Sequence, residues 1–218
     1  MRPRNRNPPV FIGGFFMRRL FLYLLPVLLL GHVGLSACSV VGLATGAGAG
    51  TAVAASEERG LGGTVADAAL HTKINVALLD KDFRLFRRVS TSVHEGRVLL
   101  MGIVPNPEAM ADAVRLAWQA EGTREVINEL HVAPDEAFLD SVRDGWISTK
   151  IRTRIMFDKE IEAINYSIET VGRVIYILGI AQNREELDRV IRTARDIEYV
   201  EKIISHVILK DDPRRKTP

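Results

Sequence analysis

Val89-Ser90-Thr91-Ser92-Val93-His94-Glu95-Gly96-Arg97-Val98-Leu99-Leu100-Met101-Gly102 is the stretch on which the fold turns. Val89, Thr91 and Val93 alternate, Glu95-Gly96 reverses the chain, and Val98 and Leu100 resume the alternation, which predicts a β-hairpin. Upstream, Leu70, Ile74 and Leu78 recur at four-residue intervals and predict the apolar stripe of a helix. Downstream, Asn106-Pro107 supplies an N-cap and a first-turn proline for a second helix, with Met110, Ala113, Val114 and Ala117 on its buried face. Val126 to Val132 reads as a closing strand. The unit is helix, strand, strand, helix, strand.

The unit occurs twice, displaced by 77 residues. Thr72-Lys73-Ile74 returns as Thr149-Lys150-Ile151, Gly102-Ile103 as Gly179-Ile180, and Asn106 and Glu108 as Asn183 and Glu185. The second copy shows the stripe Ile147-Ile151-Ile155, a hairpin turning near Gly172-Arg173, and Asn183 as cap with Glu186 three residues on. A repeat of this length is a small domain used twice rather than a solenoid unit. The expected class is α+β: two tandem α-β-β-α-β domains, residues 67–133 and 134–210, each a mixed three-stranded sheet packed on two helices. Units this small have marginal cores alone, so the two are expected to pack together or to hold a restricted angle. The joint, His131 to Arg143, is short and is expected to begin a helix after Pro134. The charged, Pro-bounded tail 211–218 is expected to be disordered.

Ahead of the repeat lies an address. Met17-Arg18-Arg19 gives a charged start, Leu20 to Leu30 is apolar but for Pro26, and Leu35-Ser36-Ala37-Cys38 puts small residues before the lone cysteine. The apolar run is short for a permanent span. Leu35-Ser36-Ala37-Cys38 resembles the bacterial lipobox, which implies a signal peptide over 1–38 (true start at Met17), cleavage before Cys38, and acyl chains such as palmitate on its thiol. The other reading is an ordinary N-terminal anchor with an incidental cysteine. Ser39 in place of Asp implies, by the same resemblance, export to the outer membrane. Residues 39–66 are rich in Gly, Ala, Val and Ser. They read either as a tether of roughly 30 Å reach, at about 5–6 Å × √n, or as a segment lying on the bilayer.

Removing residues 1–38 takes away five Arg and no acid, leaving 24 basic against 27 acidic side chains. Without a basic field the mature chain offers nothing to draw nucleic acid.

Gly96-Arg97-Val98-Leu99-Leu100-Met101-Gly102, the capped helix after it and the closing Val126-Ile127-Asn128-Glu129-Leu130 together resemble a BON domain. The second copy keeps Gly179, with Arg173 where the first glycine is usual and Ser205 for Asn128. Two such domains behind a lipobox resemble the dual-BON outer-membrane lipoproteins, relatives of the osmotically inducible periplasmic BON protein. The resemblance implies a lipid-anchored, periplasm-facing binding protein that supports outer-membrane integrity. It also implies contact with anionic phospholipid through the first helix of the second domain.

The residues of that helix differ pointedly from the first copy. Ala69 becomes Trp146, Ala77 becomes Arg154 and Asp80 becomes Phe157, while Lys73 persists as Lys150; Arg152 adds a cation nearby. Residues 146, 150, 154 and 157 share a helical face. An indole among cations suits a lipid headgroup interface. Three readings of the face stand: lipid contact by Trp146, Lys150, Arg152, Arg154 and Phe157; a Trp146 filling the groove between the domains, with Lys150 and Arg154 solvated or paired to Asp144 and Asp158; and an adaptor surface for an envelope protein.

No enzyme signal emerges. His71, His94, His131 and His206 have Ser148, Val171, Ile208 and Glu129 as counterparts, so no histidine chemistry is preserved through the duplication. Gly46-Ala47-Gly48-Ala49-Gly50 lacks the strand and lysine of a phosphate loop. No catalytic, metal or cofactor residue is assigned.

Overall fold

The computed structural model describes residues 60–133 and 141–215. Cys38, the signal region, most of the tether and the start expected after Pro134 lie outside them. The first copy runs α1 (Gly60–Lys81), α2 (Phe83–Arg88), β1 (Val89–His94), β2 (Arg97–Val104), α3 (Pro107–Gln119) and β3 (Glu125–Val132). The second runs α4 (Ser141–Met156), β4 (Tyr166–Val171), β5 (Val174–Ala181), α5 (Arg184–Arg195) and β6 (Lys202–Leu209). Strand order is β1-β2-β3 and β4-β5-β6. Each central strand pairs antiparallel with its hairpin partner and parallel with the closing strand. A parallel neighbour needs a crossover, and α3 and α5 provide it. This is the mixed three-stranded α+β unit expected.

The helix caps form as read. Asn106 Oδ1 accepts from Ala109 N at 2.8 Å and Asn183 Oδ1 from Glu186 N at 2.9 Å. The Glu186 carboxylate reaches past the cap, accepting the amides of Gln182 and Glu162.

Each hairpin closes through a two-residue turn with both residues left-handed: Glu95 and Gly96 in one, Gly172 and Arg173 in the other. The glycine has moved by one position between copies. In each domain a carboxylate from the first helix clamps the turn. Asp67 accepts the amides of Glu95 (2.7 Å) and Gly96 (2.9 Å), and its counterpart Asp144 those of Gly172 (2.7 Å) and Arg173 (2.8 Å). Two charge-assisted bonds to otherwise orphaned amides make this strong. Asp67→Ala is expected to cost about 2–3 kcal/mol, read as a fall in the urea midpoint at unchanged m-value.

Leu70, Ile74 and Leu78 pack with Val98, Leu100, Val104 and Ala113 into the core of the first domain. Ile147, Ile151 and Ile155 pack with Ile175, Ile177 and Val190 in the second. The other faces of the central strands are buried too. Leu99 and Met101 of β2 meet Tyr176 and Leu178 of β5 in a third core, between the sheets. The layers therefore run helices, sheet, sheet, helices. Leu99 and Met101 are the repeat counterparts of Tyr176 and Leu178, so equivalent positions meet, as a local two-fold axis would bring them. Glu129 and His206, also counterparts, bond directly at 2.9 Å. Arg97 donates to the His206 carbonyl (2.9 Å), and His131 Nε2 lies 3.3 Å from the Tyr176 hydroxyl. The two domains pack together, through their sheets.

Two boundaries differ from expectation. The tether expected to reach residue 66 is helical from Gly60, in a glycine-rich stretch with no apolar period to announce it. The tail expected to be disordered is ordered to Arg215, as a 3₁₀ turn over Pro213–Arg215. Arg215 Nη2 bonds Glu95 Oε1 at 2.7 Å, and Arg124 donates to the Arg214 carbonyl at 3.1 Å. An ion pair to the opposite domain holds what composition alone reads as a loose end. The helix α2, capped by Asp82 Oδ1 on Arg84 N and Leu85 N, is too short to show a period.

Candidate functional site

The first helix of the second domain turns Ile147, Ile151 and Ile155 inward, which fixes what its other face presents. Trp146 is 40% exposed and Phe157, just past the helix end, is 79% exposed. Val142 (87%) and Met156 (69%) are exposed as well. Scattered apolar residues are ordinary; three large ones exposed on one helix, with Phe157 just past its end, form more than a scatter.

Trp146 is not among the residues that line the cleft between the domains. Its ring meets Tyr199 of its own domain, centroids 5.9 Å apart at 64°, an edge-to-face pair. Two cations bracket the pair. Lys150 Nζ sits 4.3 Å from the Trp146 ring centroid, and the Arg143 guanidinium carbon 5.6 Å from that of Tyr199. Among the described residues, neither acid foreseen as a partner pairs with Lys150 or Arg154: Asp144 clamps its turn, and Asp158 lies 3.9 Å from Arg189.

The remaining expected residues divide. Arg154 is exposed on the Trp146 side and donates to the Asp196 carbonyl (3.1 Å), at the C-terminal end of α5 where a cation is favoured. Arg152 lies on the opposite flank. Its Nη2 bonds the Ile168 carbonyl and Glu169 Oε1, so it belongs to the β4 side rather than to the aromatic pair. The structure thus brings Trp146 and Lys150 together, sets Arg154 and Phe157 beside them, and separates Arg152.

Tyr199 is the member that pattern reading passes over. It occupies a left-handed conformation (φ 68°), and its counterpart in the first copy is Gly122 (φ 102°). A glycine position has become an aromatic, in the same copy in which Ala69 has become Trp146. Left-handed backbone costs a side-chain-bearing residue about 1–2 kcal/mol. The Tyr199 carbonyl accepts from Arg173 Nε at 3.0 Å, which helps hold that conformation.

Among the described residues, no group of three His, Cys, Asp or Glu is placed to hold a metal ion, and no helix is long and apolar enough to cross a membrane.

The BON domain model matches residues 61–134 and 143–211. An uncharacterized protein in the gshII 5' region of Anaplasma centrale is 41% identical over 151 residues, which is 69% of this chain and 99% of that one. The outer membrane lipoprotein DolP of Haemophilus influenzae is 31% identical over 156 residues, 71% of this chain and 80% of that one. A 21 kDa hemolysin of Actinobacillus pleuropneumoniae is 27% identical over 150 residues, 68% and 76% of the two chains.

Proposed function

The chain belongs to the BON-domain family, in its two-domain arrangement, and from that premise we propose that it is a lipid-anchored protein of the outer membrane, facing the periplasm and supporting envelope integrity. Its second domain contacts anionic phospholipid headgroups. The observation that carries this reading is the exposed Trp146–Tyr199 pair with Lys150 and Arg143 on its rings, built where the first domain has Ala69 and Gly122. Indole and phenol rings seat at the water–lipid boundary, and each nearby cation adds about 1 kcal/mol against an anionic leaflet. Val142, Met156 and Phe157 supply apolar surface for the boundary, and the strain at Tyr199 is tolerated for its exposed ring.

In this reading Cys38 carries the acyl chains and residues 39–59 set the radius. Several chains on one residue anchor stably where one gives only marginal binding. The similarity to an outer membrane lipoprotein supports the location.

Trp118 and Trp146 are the only tryptophans, so Trp118→Phe leaves a single reporter in the headgroup face. In the chain from Ser39 onward, Trp146 emission is expected to shift to the blue and to become shielded from aqueous quencher on phosphatidylglycerol vesicles. On phosphatidylcholine vesicles it is expected to stay unchanged. An unshifted spectrum on both would count against lipid contact and favour an envelope protein as the occupant of this face.

A further inference from the structure

On the flank of α4 away from Trp146, a cleft of about 450 Å³ opens between the two domains. The end of α2 and the start of β1 form one wall; α4 and β4 form the other. Its charges are unevenly satisfied. Asp144 spends its carboxylate on the amides of Gly172 and Arg173, and Glu169 accepts from Arg152. Burial holds the Glu169 carboxyl above the ordinary range, with Arg152 pulling it down. Arg152 commits only Nη2 to these bonds, leaving Nε and Nη1 without partners among the described residues. Arg87 lies 6.0 Å over the Phe83 ring and makes no hydrogen bond or ion pair among them. Arg88 and Ser90 also line the cleft.

We propose that this cleft binds a small phosphate-bearing anion, gripped by Arg87 from the first domain and Arg152 from the second. Arg87 and Arg152 face each other across the cleft with spare N–H donors, and the oxygens of Asp144 and Glu169 already accept other bonds. Guanidinium forks with spare N–H donors suit tetrahedral oxyanions, and Ser90 can donate a further bond. The volume lies in the small-ligand range and admits a group of roughly glycerophosphate size. The anion would close on both walls and tie the domains together. The site is independent of the headgroup face, since none of Trp146, Lys150 or Tyr199 lines it. Its ligand is either the headgroup of a phospholipid or a free phosphate.

The test is calorimetric titration of the full-length chain in uncharged detergent micelles, with inorganic phosphate in one arm and glycerophosphoglycerol in the other. Saturable binding is expected, weakened about tenfold or more in Arg87→Gln, in line with the loss of one charge-assisted bond, and unchanged in Arg184→Gln, an exposed arginine outside the cleft. Tighter binding of glycerophosphoglycerol assigns the site to a lipid headgroup, and equal or tighter binding of inorganic phosphate to the free anion. Arg87 holds no structural bond, so that variant should fold; Arg152→Gln provides a second reading from the other wall, checked by its melting curve. Absence of saturable binding in both arms, wild-type affinity in Arg87→Gln, or an equal loss in Arg184→Gln would overturn the proposal.

Discussion

Gly102→Ala is expected to remove most of the stability of the first domain, about 4 kcal/mol or more, seen as a collapse of the urea midpoint. A Cβ at this position would stand 1.9 Å from the Arg88 carbonyl oxygen and 3.1 Å from its carbon. Those are backbone atoms at the junction of α2 and β1, so no rotamer change relieves the overlap. The residue also sits at φ 141°, a conformation that L side chains rarely adopt. The counterpart behaves alike: at Gly179, φ 153°, a Cβ would meet the Asn165 oxygen at 2.1 Å. Gly179→Ala should therefore match Gly102→Ala in its own domain. Gly145→Ala is the control, because nothing lies within 4 Å of its Cβ and the residue is helical. It should be neutral or stabilise by up to about 1 kcal/mol. A Gly102→Ala midpoint near wild type would mean that the close approach of β2 to Arg88 is wrong.

Leu178→Asp should have a comparable effect by a different route, on the joint rather than on either domain's own core. Leu178 is fully buried between the sheets with Leu99, Met101 and Tyr176. A carboxylate there has no partner and must be desolvated, and the packing of four large side chains is lost. The expected cost is about 3–5 kcal/mol. Because each helix-side core stays intact, the variant should unfold in two transitions where the wild type unfolds in one, and its radius of gyration should rise in solution scattering. A single wild-type-like transition would show that the sheets do not share a core.

These two predictions mark what could and could not be read along the chain. Gly102 and Gly179 recur in the repeat, but their reason, a carbonyl from the α2 end or from Asn165 lying against the strand, exists only once the elements are packed. Leu99 and Met101 are apolar on what the alternation makes the outer face of the hairpin; the run becomes intelligible when a second sheet covers that face. Glu129 and His206 were legible as counterparts, and that counterparts touch follows from the local symmetry of the packing. Asp67 and Asp144 also recur at the repeat spacing, yet an acid on a helix reads as solvated until the turn it clamps is in view. Trp146, Lys150, Arg154 and Phe157 announced themselves by periodicity on one helix. Tyr199 lies in the loop between α5 and β6, outside any periodic element, so only its alignment with Gly122 points to it.

The central claim, that the aromatic pair and its cations read anionic membrane, is tested most directly by vesicle co-sedimentation of the chain from Ser39 onward, which has no acyl anchor. Wild type, Trp146→Ala, and the double variant Lys150→Glu with Arg154→Glu would be compared on phosphatidylglycerol and phosphatidylcholine vesicles. The account predicts that wild type sediments with the anionic vesicles only, and that both variants, folded by their melting curves, lose about tenfold or more in partitioning. Folded wild type that stays in the supernatant with phosphatidylglycerol, or variants that sediment as wild type does, would contradict it.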